Sequence, residues 1–325
     1  MSQVAATSIP LDNDHPARRL RRLAAAVRVH FTWWGVRRAL TAQQKEEIGV
    51  ACAADARLLT AGKKLVDVRH QAFRRLTSLR TRIGQYWRSV TLPYVEPGIR
   101  LIQQSGIDAF VHQLEGFREE LTEAEGDLNA VYDQVKADAC DRLGRLFNPA
   151  DYPPEIRGQF AVDFDFPSVE PPNYLLQLNP EIYAEEQARV ARRFEEAVQL
   201  AEQAFIGELA KLVSHLTERL TAGPDGEKKT FRDSAIANLT EYFARFRDLN
   251  VRSNAQLDQL VEQAQQIVRG IAPQSLRDNA GLRQHVATQL AAVQATLDGM
   301  LVDQPRRRII RAQPVANGGN HANGD

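Results

Sequence analysis

His112 and Glu115, and His215 and Glu218 at the same spacing, are the side chains of this chain best suited to holding a metal ion. Imidazole and carboxylate one helical turn apart on two facing helices resemble the donor set of a di-iron bundle. In such bundles, however, Glu precedes His by three and further Glu ligands complete the set. Here the order is reversed, and if Leu114 and Phe117 are core, His112 points away from them. All four therefore read as surface side chains. Asp163 and Asp165 share one face of a strand and could hold a divalent ion, but alternate acidic residues are ordinary on an exposed strand face. Gly62, Lys63 and Lys64 lack the upstream glycine and following hydroxyl of a phosphate loop, and neither an H-E-x-x-H helix nor a G-x-S-x-G elbow is present. No metal ligand, cofactor or catalytic residue is assigned, and the chain reads as a non-enzyme.

Arginines interleaved with aromatics are the better lead. Arg69, Arg74, Arg75, Arg80, Arg82 and Arg88 lie on the outer face of a helix expected over 63–90, which ends at Tyr86 and Trp87. Arg18, Arg19, Arg21, Arg22, Arg28, Arg37 and Arg38 flank Trp33 and Trp34. Arginines contact phosphates and exposed aromatics stack bases, so nucleic acid or an acidic partner is a candidate ligand. Against this, Trp33 falls on the buried face of its strand and Trp87 reads equally well as core. Arg306, Arg307, Arg308 and Arg311 read as a solvated tail.

The net charge of zero hides a segregation. Residues 1–90 carry 17 basic and 6 acidic side chains, and residues 91–210 carry 9 and 23. Either the basic layer packs beside the acidic one, in this molecule or a neighbour, or it faces a polyanion.

The positioning elements are mostly helical. Two amphipathic blocks of nearly equal length, 106–146 and 181–221, flank a Pro-rich insert at 147–180. Phe110, Leu114, Phe117, Leu121, Ala124, Leu128, Val131 and Val135 form a coiled-coil-like stripe, answered by Ala191, Phe194, Val198, Ala201, Phe205, Leu209, Leu212, Leu216 and Leu220. Each block would run to about 60 Å, and together they predict a long antiparallel hairpin.

Val27, Val29, Phe31 and Trp33, and then Phe160, Val162, Phe164 and Phe166, have the period of half-buried strands. They are expected to pair, with a third piece near 91–95. Further helices are predicted over 42–60, from a cap at Thr230 with Asp233, past an interruption at Asn250 to Ser253, and at the C-terminal end. The fold class is thus mostly α with a small β-sheet, α+β. Its parts are a disordered 1–16, a basic layer 17–104, the hairpin 105–222, C-terminal helices 229–302 and a disordered tail 303–325. Cys52 and Cys140 stand alone and read as buried small apolar residues. No apolar run reaches the roughly 18 residues of a membrane span, and residues 1–15 lack a signal-peptide core. A cytoplasmic protein without membrane contact is expected.

Trp33, Trp34, Gly35, Val36 and Arg37 after an early strand, a long helical region, then Tyr152, Pro153, Pro154 and the strand 160–166, resemble a family of helical proteins of unassigned activity. Its members are typically encoded by phages, plasmids and some bacteria, often beside MoxR-type AAA ATPases and von Willebrand A-domain proteins. The resemblance covers the chain to about Arg269. It implies no catalytic residue; it implies a partner or client of a remodelling ATPase. The functional expectation is a non-enzymatic adaptor or scaffold, engaging a protein partner or a second copy through acidic helix surfaces at Glu119, Glu123, Glu195 and Glu202. The alternative is a nucleic-acid-binding protein using the Arg-rich N-terminal third.

Overall fold

The computed structural model describes residues 15–221 and 233–302. It is mostly α-helical with a small antiparallel sheet of four strands and a separate ribbon of two, the α+β class. The chain divides into two compact units, Met1–Phe205 with Thr240–Asp258, and Ile206–Leu239 with Gln259–Asp325. In chain order the elements are α1 (Pro16–Leu23), β1 (Ala24–Trp33), β2 (Arg37–Ala39), α2 (Ala42–Cys52), β3 (Gly62–Lys64), α3 (Gln71–Ser89), β4 (Leu92–Pro93), β5 (Ile99–Gln103) and α4 (Ile107–Ala130). Then follow α5 (Tyr132–Leu143), β6 (Phe160–Asp165), α6 (Tyr174–Leu178), α7 (Pro180–Leu220), α8 (Ser234–Leu249), α9 (Ala255–Val268), α10 (Pro273–Asp278) and α11 (Ala280–Val302). The expected cap at Thr230 and the tail 303–325 lie outside the described residues, as does most of the 1–16 segment.

The first unit is organised around β1. The sheet order is β4-β5-β1-β6 with every pairing antiparallel. The register sets Val29 opposite Phe164, Phe31 opposite Val162 and Trp33 opposite Phe160, so the apolar halves of both alternations fall on one face. Onto that face press Phe73, Leu76, Leu79 and Ile83 of α3 and Phe110, Leu114, Phe117, Leu121, Ala124 and Leu128 of α4. The third strand piece near 91–95 exists as β4, whereas β5 was not expected. Pro97 and Gly98, the latter at φ +81, make the turn that lets Ile99–Gln103 fold back as a strand.

Several expectations are corrected. The stripe from Phe110 to Val135 is not the seam of a hairpin with α7, because α3 and the sheet cover it. In α7, Phe194 meets Tyr94 at 5.7 Å, and Phe205 meets Tyr242 and Phe246 of α8 at 6.2 and 5.0 Å. The first block is also broken, since Val131 leaves helical geometry (φ −110, ψ 7) between α4 and α5. The helix expected over 63–90 begins only at Gln71, because residues 62–64 pair with β2 and Leu65 N donates to Val36 O. Lys63 is buried, ion-paired with Asp151 at 2.6 Å and donating to Leu146 O. The helix expected over 42–60 stops at Cys52, where Ala53 adopts the left-handed conformation. Both cysteines are exposed. Cys140 adjoins the inward-facing Ala139, which carries it round to the outer face of α5, and α2 buries only Gly49.

The Trp34 and Tyr152 of the family-like motif are packing residues. Trp34 meets Tyr132 and Tyr152 edge-on or tilted at 6.1 and 6.2 Å, while Tyr152 Oη donates to Leu65 O and Tyr132 Oη to Pro153 O. Burial raises the Tyr132 hydroxyl to about 12.

In the second unit the core is all helical, with Leu209, Val213 and Leu216 of α7, Val261 and Ala264 of α9, and Leu290, Val293 and Leu297 of α11 buried. Arg283 donates to Leu276 O and Arg277 O, closing the end of α10.

One buried carboxylate ties α4 to the sheet. Glu125 is 8% exposed and accepts from the backbone N–H groups of Gln159 and Phe160, both at 3.0 Å, at the first residue of β6. Glu125→Ala leaves the Phe160 N–H without a partner and the Gln159 N–H with only Ile156 O, and should cost on the order of 2 kcal/mol in a urea melt. Glu125→Gln, which retains an acceptor oxygen, should cost distinctly less; equal melting of both variants and wild type would remove this role.

Candidate interaction surfaces

Of the six arginines expected to face a ligand, two face α4 and a third lies over the aromatics of β1. Arg75 pairs with Glu123 at 3.0 Å and also with Asp127, and Arg82 grips Glu120 at 2.7 and 3.4 Å. Arg80 stacks over Trp33 and Phe31, 4.9 and 5.3 Å from the ring centroids. Arg69, Arg74 and Arg88 are exposed and form no ion pair among the described residues. Near Arg88, the Arg100 guanidinium donates to Thr91 Oγ1, Thr91 O and Arg88 O, neutral acceptors at the end of α3. Burial, and then the charges of Arg88 and Arg245, push it down to about 10.

The same pattern recurs across the unit. Arg28 pairs with Asp165 at 2.7 Å, Arg21 with Glu170, Arg118 with Asp163 at 2.8 Å, and Arg142 with Asp67 at 2.8 Å. Part of the segregation of charge along the chain is thus met inside the molecule, where Arg21, Arg28, Lys63, Arg75 and Arg82 pair with acidic side chains from 91–210. Asp163 and Asp165, considered as a metal site, are engaged by arginines instead. Arg118 also donates to Val162 O, which covers part of the outer edge of β6.

Of the acidic partner candidates, Glu123 is held by Arg75, Glu119 and Glu195 are exposed, and Glu202 is half-buried. His112 and His215 are exposed, and no group of three or more His, Cys, Asp or Glu able to hold a metal ion occurs among the described residues. No helix among the described residues is long and apolar enough to cross a membrane. A cleft of about 800 Å³ lies between the β3–α3 connection and α5, lined by Leu65, Val135 and Ala139 and crossed by the Arg142–Asp67 pair. Lys64, His70 and Asp138 also line it.

The feature that sequence reading missed is an arm. Among the described residues 172–189, which comprise α6 and the first turns of α7, none is buried. Yet the segment carries Tyr174, Leu176, Leu178 and Ile182, exposed by 61, 52, 77 and 45%. Asn179 joins the two helices, its Oδ1 accepting from Glu181 N and Ile182 N as a cap. A signal was present in the sequence, the run Tyr174-Leu175-Leu176-Gln177-Leu178 inside a Pro-rich stretch, but such a run is ordinarily core.

Comparison of the chain with protein-family models, curated proteins and solved structures found no match.

The electrostatics make a measurable statement. Hydrogen bonding to Arg28 foremost, with His30 assisting at 2.9 Å, holds the Asp165 carboxyl down at about 2. Because the folded value lies below that of the free side chain, this contribution to stability is complete above about pH 4 and disappears as pH falls towards 2. In an NMR titration Asp165 should titrate near 2. Arg28→Gln should move it back towards 4, and an unchanged midpoint would mean the pair does not form.

Proposed function

We propose that this protein is a non-enzymatic adaptor or scaffold whose docking element is the arm at 172–189. One observation carries the reading: four large apolar side chains stand exposed together on a helical segment that buries nothing of its own. Burying one such side chain fully is worth about 1.5–3 kcal/mol, so a partner that covers them gains substantially. Exposed scattered singly they would need no explanation; gathered within nine residues, with Tyr174 and Leu178 one turn apart on α6, they fit a binding element. The family resemblance adds a candidate for that partner, a MoxR-type remodelling ATPase met in the cytoplasm.

The test is comparative recovery of partners from native lysate with wild type and with Leu176→Ser/Leu178→Ser/Ile182→Ser. Since these side chains are unpacked, helical content by circular dichroism should stay the same while one or more partners is lost. An identical partner set from both proteins would defeat the reading.

Nucleic-acid binding remains the second reading, supported by basic residues of the β2–β3 ribbon and by the unpaired ones at and before the start of α3. There Arg37 lies opposite Lys64, both exposed, with Arg69 and Arg74 also unpaired among the described residues. If this surface binds DNA or RNA, replacing those four residues with Gln should weaken binding and flatten its salt dependence, whereas Arg75→Gln/Arg82→Gln should not. Undiminished binding by the fourfold variant would exclude the ribbon.

A further inference from the structure

The chemistry of the arm specifies the kind of partner, an inference that rests on the adaptor reading. Between Arg157 and Arg189 the chain contains no basic residue and six acidic ones. Three of these, Asp163, Asp165 and Glu170, are neutralised by Arg118, Arg28 and Arg21 from neighbouring elements. Glu186 pairs with Arg189 one turn along α7 at 2.8 Å. Glu181 and Glu185 form no ion pair among the described residues, and both are exposed beside Ile182. The arm thus offers apolar side chains and uncompensated negative charge within the same few turns of helix.

The two most exposed apolar positions elsewhere differ in this respect. Val50 and Leu58 are each 85% exposed, but Lys45 and Arg57 lie beside Glu46, Glu47 and Asp55, so that surface carries both signs. A second copy of the arm is a poor occupant of the first, because pairing would bring like carboxylates together. An acidic partner or a nucleic acid is disfavoured for the same reason.

We infer that the arm receives a basic amphipathic segment of a partner protein, whose apolar side chains cover the exposed Leu178 and Ile182 and whose Lys or Arg side chains pair with Glu181 and Glu185. Burial supplies the affinity and the charges select the partner and hasten encounter.

The experiment uses the full chain and labelled synthetic 18-residue peptides in fluorescence anisotropy. One peptide has Leu and Lys at helical spacing, a second has Glu for every Lys, and a third has the first composition scrambled to destroy the period. The Leu/Lys peptide should bind, the other two at least tenfold more weakly. Glu181→Gln/Glu185→Gln should weaken its binding about fivefold and remove most of the difference between about 50 and 300 mM salt. Leu176→Ser/Leu178→Ser/Ile182→Ser should weaken it at least tenfold at both salts. Equal binding of the Leu/Lys and Leu/Glu peptides, no binding of the Leu/Lys peptide, or binding indifferent to both sets of substitutions would overturn the inference. So would sedimentation showing a dimer that Leu178→Ser dissolves, since the occupant would then be a second copy. The adaptor reading has a separate readout: if the serine variant loses partners from lysate while the peptide result is negative, only the assigned partner chemistry fails.

Discussion

Burial of one aromatic strand face is the constraint on which the first unit depends. β1 lies between β5 and β6, and its Val27, Val29, Phe31 and Trp33 share a face with Phe160, Val162 and Phe164. Short strands have no independent stability, so that face must be covered by something large and apolar. α3 and α4 do this together, and they are therefore bound to each other as well as to the sheet. Glu125 adds direction to an otherwise non-directional contact by fixing the backbone at the start of β6.

The electrostatic pattern follows from that packing. Once α3 and α4 lie side by side on the sheet, the outer faces of both are adjacent, and Arg75 and Arg82 come within reach of Glu120, Glu123 and Asp127. Part of a charge asymmetry that looks like a ligand surface along the chain is a lateral seam in three dimensions. Exposed pairs of this kind add little stability individually. Their larger effect is on specificity, because they oppose any register in which like charges would meet and leave fewer arginines for an outside polyanion.

Against this internally matched unit, the arm stands out by what it leaves unmatched. Elsewhere the unit places most of its large apolar groups in the core and answers several of its acids with arginines. At 172–189 no residue is buried and Glu181 and Glu185 form no ion pair among the described residues, and Asn179 nevertheless caps the start of α7 so that the segment holds its helical form. A preformed helix with exposed leucines loses less conformational entropy on binding than a coil would, which favours a recognition role.

Local periodicity determined much of the element content. The alternations at 27–33 and 160–166 became β1 and β6, the stripe of 181–221 became α7, and the interruption at Asn250 to Ser253 separates α8 from α9. Spacing reports which face of an element is apolar, and that property belongs to the chain alone. What covers the face is decided elsewhere: the Phe110 to Val135 stripe is met by α3 and the sheet, although α7 offered an equally regular stripe. Burial of apolar area carries no label for its partner, so two good stripes do not imply each other. The strand at 62–64, the exposure of Cys52 and Cys140, and the division between engaged and exposed arginines likewise depended on neighbours far away in sequence, such as Asp151 for Lys63 and Glu120 for Arg82. The arm was hidden for the same reason, since a run of leucines reads as core until the surrounding fold leaves nothing to cover it.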